Sequence, residues 1–255
     1  MPNLHIYMDE SGNTGADLLN VEQPLFALAA TMLDATTASE LVAPLIKQGQ
    51  KEAKYAKLKG TAGGQSSLLK FFSSPELKHE TTRFMLTDKR YYVVAHLVDK
   101  LIEPSLHEAG IDLYAGDAHF GLVNVWLTSG PYFFPNGHWD RLLRALVTAF
   151  RQRTSEAFKE FDRVLVAASK VTPAENRDFV TGLLLAHARL PEFLGVFKST
   201  ETFDPAVDLF ISMINSWMNG HDGRLDVTHD RSKPLKHSEA FLRTMMKPIP
   251  TRKIG

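Results

Sequence analysis

The sequence predicts a mixed α/β protein of the α+β kind, on three observations. Short runs of strand character lie near the N-terminus, at Leu4–Met8 and Leu25–Leu33, and another lies near the C-terminus, at Arg224–Asp230. Between them, from about Leu101 to Asn219, apolar residues recur almost throughout at helical spacing. Two of the predicted strands end in acids, Asp9-Glu10 and Asp230, a common way to hold chemistry over a rigid sheet.

In Leu4–Met8, strand geometry puts His5, Tyr7 and Asp9 on one face and Leu4, Ile6, Met8 and Glu10 on the other. Asp9 and Glu10 therefore cannot serve one site unless the strand ends between them. Ser11-Gly12-Asn13-Thr14-Gly15 supplies turn residues that tolerate positive φ. Leu25–Leu33 is apolar at nearly every position, which predicts a strand covered on both faces. Thr37 with Glu40 has capping-box spacing and predicts a helix from Ala38, with Leu41, Val42, Leu45 and Ile46 as its apolar stripe.

Five lysines fall between Lys47 and Gly64: Lys47, Lys51, Lys54, Lys57 and Lys59. Charge runs of this kind are ordinarily solvated, and the alternative is a phosphate-contacting edge. Gly60–Gly64 predicts a flexible loop, without the Gly-Lys-Ser/Thr of a phosphate loop. Leu68–Phe72 and the segment after Pro75 read as helical. Arg90–Asp99, rich in β-branched and aromatic residues, predicts a third strand ending in a candidate site carboxylate, Asp99.

Helices are expected over Asp140–Arg151 and over a following stretch from Ala157 to Ala168, where a short strand at Val164–Ala168 is the alternative. Thr172-Pro173-Ala174-Glu175 and Asp204-Pro205 look like helix starts, the second running to Asn219 and stopping at Gly220. Arg224–Asp230 predicts a fourth strand and Ser238–Met246 a last helix. The aromatic group Trp126, Tyr132, Phe133, Phe134 and Trp139 is read as core, with a stacking platform as the alternative.

Composition narrows the function classes. A hydrophobic content of 44% supports a real core in a chain of 255 residues. Net charge is zero, so nucleic-acid binding must come from a local patch. There is no cysteine, which excludes thiol catalysis, disulfides and zinc–thiolate sites and fits a cytoplasmic protein. No signal peptide and no membrane-spanning run is evident, so no membrane association is expected.

Among the candidate catalytic groups, Asp226, Thr228 and Asp230 share one strand face. If the first and fourth strands are neighbours, Asp9 and Asp230 face each other. Oxygen-only ligands favour Mg2+ or Mn2+ over zinc. The plainer alternative is that these acids cap turns or pair with Arg231 and Lys233. His5, His96, His119, His138 and His221 show no metal-protease spacing, and His229 is better placed although its parity turns it away. Ser11 lacks the context of a nucleophile.

The order of motifs resembles a known family. Tyr7-Met8-Asp9-Glu10-Ser11-Gly12-Asn13-Thr14-Gly15 followed by Phe26–Ala30 is similar to the start of the bacterial family called domain of unknown function 3800. Lys57-Leu58-Lys59-Gly60 resembles its lysine-bearing motif. Tyr92–Lys100 resembles its third strand, and Leu225–Ser232 its later acid-ended strand. The resemblance is strongest in the first 35 residues. It implies one ribonuclease-H-like domain over 1–255, a mixed sheet flanked by helices, with 101–219 as a mostly helical insertion. It also implies a divalent-metal-dependent nuclease acting on DNA or RNA, associated with defence against phage.

By that resemblance Asp9 and Asp230 are the metal ligands, for Mg2+ or Mn2+. Glu10 and Asp226 are further catalytic candidates, and Lys57, Lys59 and Ser11 are substrate contacts. Members of the family continue into another strand and a Gln-Leu-Ala-Asp helix whose Asp completes the site. No such motif follows Met246, so that strand and helix are expected to be missing. A second functional class follows from the neutral charge and the missing acid: a non-catalytic interaction subunit that binds a partner protein through 101–219. A phosphoesterase acting on a small nucleotide is a third.

Overall fold

The computed structural model describes residues 3–12, 17–46, 49–188, 203–221, 223–230 and 232–245. The expected turn at Asn13–Gly15, and also Lys47, Arg231 and the residues from Met246 onward, lie outside them. The chain divides into two compact units: Met1–Ser11, Ala27–Leu86 and Leu209–Ser232 form the first, and Gly12–Phe26, Thr87–Asp208 and Lys233–Gly255 the second.

The architecture is mixed α/β, with a four-stranded mixed sheet flanked by helices. The strands are β1 (Leu4–Ser11), β2 (Leu25–Thr31), β3 (Thr82–Asp88) and β4 (Leu225–His229), in the order β3-β2-β1-β4. β2 is antiparallel to β1, with Asp9 opposite Ala29. β4 is parallel to β1, with Leu4 opposite Leu225 and Met8 opposite His229.

Burial alternates along β1: Ile6 and Met8 are buried, while His5, Tyr7, Asp9 and Ser11 are exposed. β2 follows the same rule. Phe26, Leu28 and Ala30 are buried, but Ala27, Ala29 and Thr31 only partly so, which corrects the expectation of a strand covered on both faces. Alanine is small enough to leave the second face thinly covered without exposing much apolar surface.

Helices of the first unit correct three expectations. α1 (Ala35–Val42) starts earlier than the Thr37 signal suggests, because the Asp34 side chain accepts hydrogen bonds from the backbone of Thr36 (2.9 Å) and Thr37 (3.0 Å). α2 (Tyr55–Leu58) and α3 (Ala62–Phe72) follow, so the glycines of Gly60–Gly64 do not make a flexible loop. Thr61 caps α3 through the Gly64 N–H (3.1 Å), and Gly64 lies so close to Leu58 that a Cβ would overlap its carbonyl oxygen. The segment after Pro75 turns into β3 rather than a helix.

The expected strand at Arg90–Asp99 is helix α4 (Lys89–Leu97), continued by a π-helical turn, Val98–Ile102, and α5 (Glu103–Glu108). Asp88 caps α4 by accepting from the Tyr91 N–H at 2.8 Å. Val93, Val94, Leu97, Val98 and Leu101 then fall on one buried face at helical spacing, and core packing outweighs β-propensity. Asp99 is therefore not at a strand end. It lies in the second unit, bonded to His119 Nε2 (2.7 Å) and accepting from the Tyr114 hydroxyl (3.2 Å).

The expected helical stretch is present among the described residues as α6 (Ala118–Phe133), α7 (His138–Gln152), α8 (Ser155–Lys170), α9 (Arg177–Ala188) and α10 (Pro205–Met218). Val164–Ala168 is within α8. Thr172 does not cap α9; its hydroxyl donates back to the Ala168 carbonyl at 3.3 Å, at the end of α8. Trp126 and Trp139 stack at 6.1 Å with Phe134 beside them, so the aromatic group is core, apart from exposed Tyr132. A short unexpected helix, α11 (Lys233–His237), precedes the last expected helix, from Ser238, which is present as α12 (Glu239–Met245). No helix among the described residues is long and apolar enough to cross a membrane.

Candidate active site at the ends of two parallel strands

β1 is a strand because apolar Ile6 and Met8 alternate with polar neighbours and lie buried beneath the sheet. The second half of α10 lies on that side of the first unit. The Phe210 ring meets the His229 ring edge-on at 5.9 Å. Arg83 from β3 holds its guanidinium 4.2 Å from the centre of the Trp217 ring and donates to the Ser216 hydroxyl at 2.9 Å. β1 and β4 lie side by side, and β1 runs on through Asp9, Glu10 and Ser11 beyond their last pairing, Met8 opposite His229.

Met8 and His229 are the last paired residues of the two strands, and Asp9 and Asp230 are the next residue in each. Both acids are exposed. Asp9 Oδ1 accepts the Glu10 N–H at 2.9 Å, which turns one carboxylate oxygen back to the strand and leaves Oδ2 outward.

Glu10 does not join this pair. β1 continues through Ser11, so Glu10 points to the opposite, interior face. There its Oε2 lies 3.1 Å from His229 Nε2, with side-chain exposures of 23% and 9%. The distance suits an ion pair, yet the two atoms are out of line for a hydrogen bond and neither has another hydrogen-bond partner. The other imidazole nitrogen, Nδ1, is 2.6 Å from the Asp230 carbonyl oxygen. A carbonyl only accepts, so Nδ1 must carry the proton. His229 thus links the backbone of Asp230 to the side chain of Glu10 from beneath the sheet. Strand parity contained this signal, since Glu10 and His229 both fall on the Met8 side.

Asp226 shares the exposed face but sits at the start of β4, opposite His5. Four residues separate it from Asp230, about 13 Å along a strand. Its carboxylate accepts from Arg224 Nε at 2.8 Å. Between these ends the face carries His5, whose Nε2 bonds Thr228 Oγ1 at 2.8 Å and whose ring stacks on Tyr7 at 4.7 Å. Ser11 is exposed on the Asp9 side, opposite Ala27. Lys57 is exposed on α2, and Lys59 Nζ sits 5.6 Å from the Tyr55 ring centre.

The turn after Ser11 is defined in the second unit by Gly12. Its φ of +107° and the carbonyl of Leu25, which a Cβ would overlap, both require glycine. The buried Lys89 Nζ donates to the Gly12 carbonyl. Burial lowers the Lys89 pKa, opposed by the charges of Asp17 and Asp204.

No protein-family model, curated protein or solved structure matches this chain. Among the described residues, no three His, Asp or Glu side chains gather closely enough to hold a metal ion by themselves. The donor chemistry after the last β1–β4 pairing fits a hard divalent cation only in part: two exposed carboxylates, Asp9 and Asp230, no thiol in the chain, and an imidazole turned to the other face. Mg2+ commonly takes one or two protein carboxylates and completes its shell with water and substrate phosphates.

Proposed function

We propose that the protein is a ribonuclease-H-like, divalent-metal-dependent nuclease whose site is the Asp9–Asp230 pair. The observation that supports this reading is the parallel pairing of β1 and β4, whose last paired residues, Met8 and His229, directly precede Asp9 and Asp230. The mixed sheet flanked by helices agrees with what the resemblance of the N-terminal motif implies.

In this reading Asp9 and Asp230 hold Mg2+ or Mn2+, which when bound neutralises phosphate charge and favours attack by water on a phosphodiester. Asp9 Oδ2 and the Asp230 carboxylate supply the protein's share of ligands. His229 is a positioning residue: it grips the Asp230 carbonyl and sets the end of β4 against β1 without touching substrate. Glu10 serves this anchor rather than the reacting phosphate, and Asp226 is too far along the strand to join the pair. Absence of cysteine excludes a thiol nucleophile in any version of the chemistry.

The test is cleavage of single- and double-stranded DNA and RNA with Mg2+ or Mn2+, comparing wild type with Asp9→Asn and Asp230→Asn. Each substitution should reduce metal-dependent cleavage by at least about 100-fold, in the range seen when one transition-state contact is removed. Undiminished cleavage in either variant would refute the assignment. A thermal melt with added Mn2+ supplies a second readout. A site-specific cation raises the midpoint by mass action, whereas no shift together with a co-purifying protein supports the interaction-subunit reading through 101–219.

A further inference from the structure

The first unit carries a basic recess that the strand-end site does not use. It is a hollow of about 430 Å³ lined by Gln50, Lys51, Glu52, Lys54 and Lys57. Three cations against one carboxylate make it locally positive, in a chain whose 29 basic and 29 acidic residues cancel. Glu52 is already engaged, 2.8 Å from Lys54 Nζ, and both side chains are well exposed. That contact holds the Lys54 pKa above its ordinary value, chiefly through the hydrogen bond to Glu52. An exposed pair of this kind is weak and exchanges readily.

An aromatic ring lies within the same short segment. Tyr55, the first residue of α2, is 63% exposed and has Lys59 at its ring. The segment has firm support. Leu58 is buried, α3 packs so tightly on it that only glycine fits at Gly64, and the Gln65 side chain donates to the Lys59 carbonyl at 2.8 Å. A segment that alternates lysines with an exposed aromatic ring matches what a single-stranded nucleic acid presents: a phosphate chain beside unstacked bases. A duplex keeps its bases stacked and offers Tyr55 nothing to pack against.

We infer that Lys51, Lys54 and Lys57, with Tyr55, form a binding site for single-stranded nucleic acid, in which phosphates enter the lysine recess and a base stacks on Tyr55. Glu52 acts as an internal competitor that phosphate must displace from Lys54. The site shares its ligand class with the proposed nuclease reading, and Lys57 is one of the substrate contacts that the resemblance implies, but the site stands or falls on binding rather than cleavage.

The experiment is fluorescence anisotropy of a labelled oligothymidylate with the full chain in EDTA, over a series of salt concentrations. Lys51→Gln and Lys57→Gln should each weaken binding and lower the slope of log affinity against log salt by about 0.7, the value for one phosphate contact to a single strand. Glu52→Gln should tighten binding. Tyr55→Leu should weaken the oligonucleotide about fivefold or more while leaving competition by pyrophosphate unchanged, because only the base is stacked. Circular dichroism checks that each variant is folded. An unchanged salt slope in both lysine variants overturns the inference, as does equal or tighter binding of the matching duplex. Binding of pyrophosphate with no binding of the oligonucleotide overturns it too, reducing the recess to a small-anion pocket.

Discussion

The contact between Glu10 and His229 gives the sharpest test of how the strand ends are held. His229 Nδ1 donates to the Asp230 carbonyl, so its Nε2 faces Glu10 Oε2, 3.1 Å away, and the two atoms need one proton between them. Glu10→Ala leaves a nitrogen that is buried and unpartnered. Removing one member of a fully buried charged pair costs about 3–5 kcal/mol. Here Glu10 keeps 23% of its exposure and the contact is out of line, so the cost falls to roughly 1–3 kcal/mol, the range for leaving one buried group unsatisfied. For a chain of this size that corresponds to a drop in melting temperature of roughly 2–12 °C. Glu10→Gln should lose much less, since its amide can donate to the lone pair of Nε2. The assay is urea unfolding of wild type, Glu10→Ala, His229→Ala and the double variant. The cycle should give a coupling energy of about 0.5–3 kcal/mol. Additivity of the single losses within about 0.3 kcal/mol, or equal losses for Glu10→Ala and Glu10→Gln, would refute the reasoning.

Two further predictions concern the second unit. Gly12→Ala should cost clearly more than Gly110→Ala in urea unfolding. Both glycines have positive φ, worth about 1–2 kcal/mol for alanine, but only Gly12 also lies against a carbonyl, whereas nothing crowds Gly110; equal losses would show that the contact with Leu25 does not matter. Tyr114 should titrate at about 12 rather than 10, because of partial burial first and then the charge and hydrogen bond of Asp99. A raised folded-state pKa gives stability that is complete below pH 10 and is lost as pH rises towards 12. Tyr114→Phe should therefore lessen the loss of stability in that window, and the high-pH tyrosinate absorbance should fall by one tyrosine's share, since Tyr91 and Tyr92 are raised as well. The Tyr114 ring is 60% exposed, so the hydroxyl end beside Asp99 is where burial acts.

Much of the strand-end site is legible in the chain because strand periodicity is local and strict. Side chains on β1 alternate as the sequence requires, so Asp9 and Glu10 had to part, and parity alone turns His229 to the side of Glu10. The helices from α6 to α10 are equally plain, since their apolar residues repeat every three or four positions over a dozen residues or more. Arg90–Asp99 misleads because β-branched and aromatic residues favour a strand when nothing else acts. The Asp88 cap, a local signal, and a buried face at Val93, Val94, Leu97 and Leu101 overrule that preference, and the burial depends on a core assembled from distant parts of the chain.

By itself, then, the sequence determined the mixed α/β class, the long helical stretch, the absence of thiol chemistry and the face on which each acid of β1 lies. These follow from composition and from short-range periodicity. Tertiary structure alone decided that β4 lies beside β1 and parallel to it, with Met8 opposite His229, while Asp226 sits opposite His5, about 13 Å back along the strand from Asp230. It also decided that Glu10 is part of an anchor with His229 rather than of the acid pair. Strand neighbours and register are set by which surfaces bury each other across more than 200 residues of intervening chain, and no local pattern encodes that choice.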